Sequence, residues 1–380
     1  MQIFEDDDAV SAIYNRAINL TISKDFAEQS NGKHIIAAQQ NSEQVYRRRE
    51  LLAVEKTTNK NKIIEERGQN HFKTQVMAKL YAEVNTQINN EFDNKENLYT
   101  NILHIENAAP AILEILAIKA ASINRITPLV KSLSWLANDL ITLINKPQYR
   151  KRADVQVTQT KLALSYIGLD NLKLLMPIYI LKNWLPETTS PFGLMKRKLW
   201  HDSLSIALAS KTLAEQQGLD GFTAFTCGML SNIGDLAVTR CVFENYNKVY
   251  NAQRREAFEN RDKRLHNIFV QLEMSPDLLL EHLSTRSTKV SADLVELMNF
   301  DRLIITEPLF DLAYGYNLNE MHPIAKIVAK AKTYISFRKL AKAGLIATDE
   351  AKVLLSKVHL TPDNVALLKR SDIDHIKLNF

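Results

Sequence analysis

Two short stretches of this chain carry side chains that could take part in chemistry. His201 and Asp202 are adjacent and offer an imidazole and a carboxylate, which are good ligands for divalent metals. Neighbouring side chains on a helix point about 100° apart, so this pair does not readily chelate one ion. Ser231 and Asn232 end an apolar segment and precede Gly234. A neutral hydroxyl and a neutral amide bind a divalent cation weakly. The sequence therefore predicts no metal site at either stretch.

The composition favours helices over strands as the elements that position these residues. Glycine and proline contribute only 10 residues each to a chain of 380. Few positions therefore suit the positive-φ turns that hairpins and phosphate-binding loops need, and no Gly-x-Gly-x-x-Gly or Walker-type loop occurs. Hydrophobic residues make up 46% and charged residues 24%, which is typical of a folded globular protein.

The N-terminus and the cysteines indicate where the protein works. The first residues are acidic, unlike a secretory signal, and no apolar run approaches the roughly 18 residues of a membrane span. The two cysteines, Cys227 and Cys241, lie in apolar stretches and are expected to be reduced and buried. We expect a cytoplasmic protein that does not enter a membrane.

Hydrophobic periodicity predicts helices along the N-terminal part. Val10 to Ile18 forms one apolar stripe at helical spacing, and the stretch from Asp25 to about Arg67 is polar, as an exposed helix or a linker would be. Apolar residues then recur every four positions from Phe72 to Ile88, which predicts a helix of about five turns. Its apolar face packs on the rest of the protein or forms a dimer seam.

These patterns divide the chain into three units. Residues 1–108 form an N-terminal polar helical extension, 109–315 a core domain of successive helices, and 316–380 a small C-terminal helical bundle. In the last unit, a helix begins at Pro323 and ends at Gly344.

Four segments of the central unit occur in a recognisable order. They are Leu140–Asn145, Thr160–Gly168, Leu199–Ser203 and Phe225–Leu236. In type, order and spacing they resemble the HDOD family, the HD-related output domains of bacterial signalling proteins, over roughly residues 109–315. The chain departs from the usual family pattern at Lys146, where serine is common, and at Asp202, where histidine is common.

The resemblance implies an all-α, multi-helix bundle of the HD superfamily that has largely exchanged hydrolysis for signalling. An HD hydrolase needs a first histidine, a His-Asp dyad and a later aspartate, because ligands from separate helices must converge on the metal. In the matching register the first three positions are Asp202, Ser231 and Asn232, so one ionisable ligand survives. Further histidine-bearing segments of the family are not found between Glu281 and Asp311.

Two hypotheses apply to the residues in these positions. Ser231 and Asn232 suit hydrogen bonding at a helix end, which would be a purely structural role. Alternatively, Asp202, Ser231 and Asn232 line a metal-free remnant pocket, together with Trp200 and His201, that binds a small molecule or a peptide without catalysis. Trp200 suits either a core position or a platform on which a base stacks.

The favoured function is that of a non-catalytic, regulatory signal-transduction protein that needs no cofactor. It would bind a protein partner of a bacterial signalling pathway, or a small ligand. The second hypothesis is a residual metal-dependent phosphohydrolase or phosphodiesterase acting on a nucleotide or cyclic dinucleotide. The third and least favoured is a nucleic-acid binder, because the net charge is only +5 although basic clusters occur. These clusters are Arg47–Arg49, Arg150–Arg152, Lys196–Lys198 and Arg254–Arg255.

Overall fold

The computed structural model describes residues 1, 4, 7–30, 53–149, 156–315 and 317–378, with the side chains of 53–69 excepted. Every regular element within these residues is a helix, which confirms the predicted all-α, multi-helix fold. The basic clusters at 47–49 and 150–152 lie outside the described residues.

The N-terminal part begins with an amphipathic helix, as the sequence predicts. Its elements are α1 (Asp8–Ile22), α2 (Lys24–Ser30), α3 (Ala53–Phe92), α4 (Lys95–Asn97) and a π-helical turn (Leu98–Ile102). The Asp7 carboxylate caps α1 by accepting a hydrogen bond from the Val10 amide. The predicted apolar stripe of α3 is buried within this chain at Val76, Leu80, Val84 and Ile88.

The central part consists of successive helices, as the sequence predicts. They are α5 (Ala108–Ala117), α6 (Ile123–Ser132), α7 (Ser134–Ile144), α8 (Thr160–Ile167), α9 (Leu169–Asn183), α10 (Met195–Gln216), α11 (Gly221–Leu230), α12 (Ile233–Glu259), α13 (Lys263–Val270) and α14 (Pro276–Leu297). Helix α11 packs along α10, and α12 packs along both α3 and α14.

The C-terminal helices are α15 (Thr306–Tyr314), α16 (Pro323–Ala343), α17 (Thr348–Lys357) and α18 (Pro362–Arg370). Gly344 adopts a left-handed conformation with φ 66° and ends α16, as predicted. Helix α16 packs against α10 and α11, and α1 lies against α10, α14, α16 and α17. The two ends of the chain therefore meet over the central helices.

Two glycines allow the junction between α11 and α12 to approach its neighbours closely. A Cβ atom on Gly234 would lie 1.9 Å from the Ser287 carbonyl oxygen of α14. A Cβ atom on Gly228 would lie 2.7 Å from Ser210 Oγ of α10. Both distances are shorter than any ordinary contact, so only glycine permits this packing.

No single helix among the described residues is long and apolar enough to cross a bilayer. The pair α8 and α9 reaches the combined length and composition, but it is bent by 113°.

Candidate functional site

The junction between α11 and α12 carries Ser231 and Asn232, which the HDOD resemblance aligns with a metal-binding pair. Ser231 ends α11, and its hydroxyl donates to the Gly228 carbonyl oxygen at 2.8 Å. Asn232 lies between the helices, and its amide nitrogen donates to Ser203 Oγ of α10 at 3.3 Å. Both side chains are buried. Ser231 therefore has the helix-end role that the sequence suggests, whereas Asn232 joins the junction to α10.

A buried lysine from α16 contacts the same junction. The Lys332 ammonium donates to Asn232 Oδ1 at 2.7 Å and to the Ser231 carbonyl oxygen at 3.0 Å. Only 5% of Lys332 is exposed, and burial lowers its pKa, an effect that the nearby Asp235 carboxylate opposes. The Lys332 ammonium group therefore places a positive charge at this junction.

Helix α14 supplies the remaining hydrogen bonds of the junction. Ser291 Oγ lies 3.0 Å from the Ser231 carbonyl oxygen and accepts a hydrogen bond from the Gly234 amide at 2.9 Å. The same hydroxyl lies 3.0 Å from the Ser287 carbonyl oxygen. Gly234 and Ser291 thus form one tight contact between α12 and α14.

A second lysine of α16 pairs with Asp202 on α10. Lys339 Nζ lies 2.7 Å from Asp202 Oδ2, and each side chain is 22% exposed. Lys339 also donates to Thr21 Oγ1 of α1 at 2.6 Å, and this hydroxyl lies 3.3 Å from the same Asp202 oxygen. Asp202, the one ionisable residue among the three positions that the resemblance aligns with metal ligands, is therefore paired with a cation.

A small cavity of about 60 Å³ separates α1 from this polar group. Among the residues that line it are Asp202, Asn232, Asp235, Ser287 and Lys332. The Ser287 hydroxyl is buried without a hydrogen-bond partner. A volume of this size holds a few water molecules.

An aromatic hydroxyl of α1 faces the same cavity. Burial and the nearby carboxylates of Asp235 and Asp202 raise the pKa of Tyr14. Tyr14 is therefore a neutral phenol that can donate a hydrogen bond at ordinary pH.

The structure brings together only part of the predicted remnant pocket. Asp202 and Asn232 line the cavity, whereas the Ser231 side chain hydrogen bonds back along α11. Trp200 is half-buried, His201 is exposed, and neither belongs to the cavity lining. Adjacent residues on a helix point in different directions, which separates Trp200 and His201 from Asp202.

The residues of this site do not fit a divalent metal ion. In the described part of the chain, no three or more His, Cys, Asp or Glu side chains are grouped so that they could hold one. The Asn232 carbonyl oxygen is occupied by Lys332, and the Asp202 carboxylate by Lys339. Two ammonium groups would repel an added cation at this short range.

The two lysines were missed by sequence reasoning. They lie seven residues apart on α16, which places both on the same helix face. Lys326 and Lys330 lie on the same helix, so no local pattern distinguishes Lys332 as the buried lysine. The sequence could not show which residues they meet, because Asn232 and Asp202 lie 100 and 137 positions away.

Two further charged groups also take part in internal contacts. Lys198, from a basic cluster considered for nucleic-acid binding, donates to the Leu20 carbonyl oxygen of α1 at 2.6 Å. Asp374, near the end of the described residues, accepts hydrogen bonds from Arg338 at 2.6 and 3.0 Å. The Arg338 and Ser205 hydrogen bonds outweigh burial and lower the pKa of Asp374. Both groups help to hold the chain ends on α10 and α16.

Comparisons with known proteins give one sequence family and two loosely similar structures. No curated protein matches the chain. The structure of a provisionally named phosphohydrolase from Shewanella amazonensis SB2B is 17% identical and has a TM-score of 0.44; the matched region is 72% of this chain and 91% of that protein. The structure of a provisionally named metal-dependent phosphohydrolase from the same strain is 13% identical and has a TM-score of 0.36; the matched region is 76% of this chain and 99% of that protein. Neither similarity bears on the chemistry of the site.

The family comparison is specific to the central helices. Residues 102–273 match the HDOD domain family. The match includes the α10 helix and the junction between α11 and α12, but it ends before α14 and α16. Residues 102–273 are therefore similar to HDOD domains, in agreement with the resemblance of the four segments.

Proposed function

We propose that this chain is a non-catalytic signalling protein that binds a protein partner. The observation that carries the proposal is the position of two ammonium groups. Lys332 Nζ lies 2.7 Å from Asn232 Oδ1, and Lys339 Nζ lies 2.7 Å from Asp202 Oδ2. The side chains that would face a metal ion in an HD hydrolase therefore face lysines of the same chain.

The chemistry of phosphate-ester hydrolysis explains why this matters. In an HD hydrolase a metal ion polarises the phosphate and lowers the pKa of the attacking water. A lysine ammonium supplies positive charge, but it has no open coordination position and cannot activate a water in this way. Lys332 is also nearly inaccessible to solvent. We therefore assign the two lysines a structural role and expect no turnover.

The HDOD family supports the signalling part of this proposal, since its members are output domains of bacterial signalling proteins. With hydrolysis removed, an output must pass through binding. We infer a protein partner in the bacterial cytoplasm, with a small ligand as the alternative. The cavity of about 60 Å³ is small for a nucleotide, which favours the protein partner.

The proposal is tested by metal content and turnover measured on the same preparation. Purified full-length protein is equilibrated with Mn²⁺ or Mg²⁺, desalted and analysed by mass spectrometry, then assayed with bis(p-nitrophenyl) phosphate and with a cyclic dinucleotide. We expect less than about one-tenth of a metal ion per chain and no turnover, because the oxygens are occupied by lysines. Asp202→Asn and Asp235→Asn serve as a matched pair, since both carboxylates line the cavity.

One result would establish the alternative function. Near-stoichiometric metal together with turnover that Asp202→Asn abolishes and Asp235→Asn retains would identify a residual phosphohydrolase. Metal-independent turnover would also contradict a non-catalytic role.

A further inference from the structure

Helix α1 covers a groove that the rest of the chain forms. We use "α1 groove" for the surface of α10, α14, α16 and α17 against which α1 lies. The groove includes the exposed side of the polar cavity, because Tyr14, Ala17, Ile18 and Thr21 of α1 line that cavity. These four residues follow the i, i+3, i+4, i+7 spacing by which an amphipathic helix occupies a groove.

A few polar contacts fix α1 in this groove. The Arg16 guanidinium donates to both Glu350 carboxylate oxygens at 3.0 Å and to the Leu345 carbonyl oxygen at 2.8 Å. This bidentate pair depresses the pKa of Glu350, as a charge-assisted contact should. At the other end of α1, Thr21 accepts from Lys339 at 2.6 Å. Glu350 is 334 positions from Arg16, so this contact joins the two ends of the described chain.

The fit of α1 in its groove is incomplete. Beneath α1 the Ser287 hydroxyl has no partner, and the Asp235 carboxylate faces the cavity. Ala17 and Ile18 of α1 line this cavity, and neither side chain can form a hydrogen bond. A helix with a longer donor side chain at the position of Ala17 would offer a partner to the Ser287 hydroxyl, which α1 leaves unsatisfied.

We propose that the α1 groove is the partner-binding surface and that its partner is an amphipathic helix that displaces α1. This inference rests on the proposed partner-binding function and names the class of partner. The partner helix carries an arginine that pairs with Glu350 and, four residues or fewer away, a glutamine or a similar donor that reaches Asp235 and Ser287. A second copy of this chain would supply the same α1 with the same incomplete fit, so a different protein is the better occupant.

The test uses a fluorescent peptide of residues 7–24 as the probe and the full chain as the receptor. In the wild type, α1 competes with the peptide at a high effective concentration. Arg16→Ala weakens only the α1 of the receptor, because the peptide keeps its own arginine. We expect the Arg16→Ala chain to bind the peptide about tenfold more tightly than the wild type does, as measured by fluorescence anisotropy. Thr21→Val is a second receptor variant, and we expect it also to bind the peptide more tightly than the wild type does.

Two comparisons locate the binding in the groove. The receptor variant Arg16→Ala/Glu350→Ala removes the carboxylate that the peptide arginine needs, so the gain in affinity should disappear. A peptide with Ala17→Gln should bind the Arg16→Ala chain more tightly than the native peptide, because glutamine offers a partner to the Ser287 hydroxyl. A peptide with Ala12→Ser is the matched control, since residue 12 is exposed, and it should bind with the affinity of the native peptide.

Several outcomes would overturn the inference. Peptide affinity that does not change with Arg16→Ala and Thr21→Val, or that persists in the Glu350 variant, would show binding outside the groove. Dimerisation of the Arg16→Ala chain by light scattering, without tighter peptide binding, would show exchange of α1 between copies instead. A failed peptide test with metal-free, inactive protein removes only this inference, whereas metal-dependent turnover removes the proposed function.

Discussion

The inner and outer halves of the candidate site use the same kind of side chain differently. The inner half consists of Ser231, Asn232, Ser291 and Lys332, and its lysine is 5% exposed. The outer half consists of Asp202, Thr21 and Lys339, where the charged side chains are 22% exposed. Lys332 meets neutral oxygens, whereas Lys339 meets a carboxylate. Burial therefore decides which lysine is an integral part of the core and which is an adjustable contact.

The physical reason is the cost of removing charge from water. A buried ammonium is held only if hydrogen bonds replace its hydration, so the inner half tolerates little rearrangement. A partly exposed ion pair gains less from its partner and loses less when the partner leaves. The outer half also borders the cavity and α1, so α1 can separate from the neighbouring helices at this half with the smaller loss of contacts.

The largest effect is expected at the contact that closes the inner half. Gly234→Ala places a Cβ atom 1.9 Å from the Ser287 carbonyl oxygen, so α12 and α14 must separate. We expect a loss of about 3 kcal/mol in the free energy of unfolding, measured with urea. Gly193→Ala is the matched control, since a Cβ atom there meets nothing within 4 Å. Equal stability of the two variants would contradict the close approach of α12 and α14.

The next effect is expected from the buried lysine. Lys332→Met leaves the buried Asn232 Oδ1 without the ammonium donor that lies at 2.7 Å. An unsatisfied buried acceptor costs on the order of 2 kcal/mol, and we expect this loss in the free energy of unfolding at neutral pH.

The same variant tests the state of the lysine through pH. Burial lowers the pKa of Lys332 in the folded protein below the ordinary value of 10.5. Between that lowered pKa and 10.5 the unfolded chain binds more protons, so wild-type stability rises with pH across this window and is lost as pH falls through it. The stability difference between wild type and Lys332→Met should therefore be greater at pH 10 than at pH 7. A difference that is constant with pH would show that the pKa is not lowered.

A smaller effect is expected at the outer lysine. Lys339→Met removes a half-buried ion pair with Asp202 and a hydrogen bond to Thr21. We expect a loss of about 1 kcal/mol, with faster hydrogen exchange in α1 because Thr21 loses its donor. Lys352→Met is the control, since its pair with Asp349 is largely exposed. If Lys339→Met lowered the free energy of unfolding as much as Lys332→Met does, the inner and outer halves would not differ in the way described above.

The smallest effect is expected from the unpartnered hydroxyl in the cavity. Ser287→Ala removes no hydrogen bond, so the free energy of unfolding should change by less than about 0.5 kcal/mol or rise slightly. Ser291→Ala, on the same helix, should cost about 1 to 2 kcal/mol because the Gly234 amide loses its acceptor. Calorimetry of the two variants gives the comparison, and a larger loss for Ser287→Ala would indicate that its hydroxyl has a partner.

Much of the fold could be predicted because its signals are local. The apolar stripes of α1 and α3 and the left-handed Gly344 that ends α16 each depend on a few neighbouring residues. Helix ends were less predictable: α7 spans Ser134–Ile144, so it begins well before the Leu140–Asn145 segment that the sequence singles out. The apolar pattern at Leu136 is compatible with either start, so packing rather than periodicity fixes the end.

The sequence alone determined the helical class, the four segments that resemble the HDOD family, and the neutral side chains of Ser231 and Asn232 at the end of an apolar helix. These features depend on side-chain type and on spacing along a helix, which are readable one segment at a time. Only the tertiary structure decided what Asn232 and Asp202 contact, because Lys332, Lys339 and Thr21 come from helices more than 90 residues away from the positions they meet. Long-range contacts are set by how whole helix faces pack, and no local pattern of residues encodes which faces will meet.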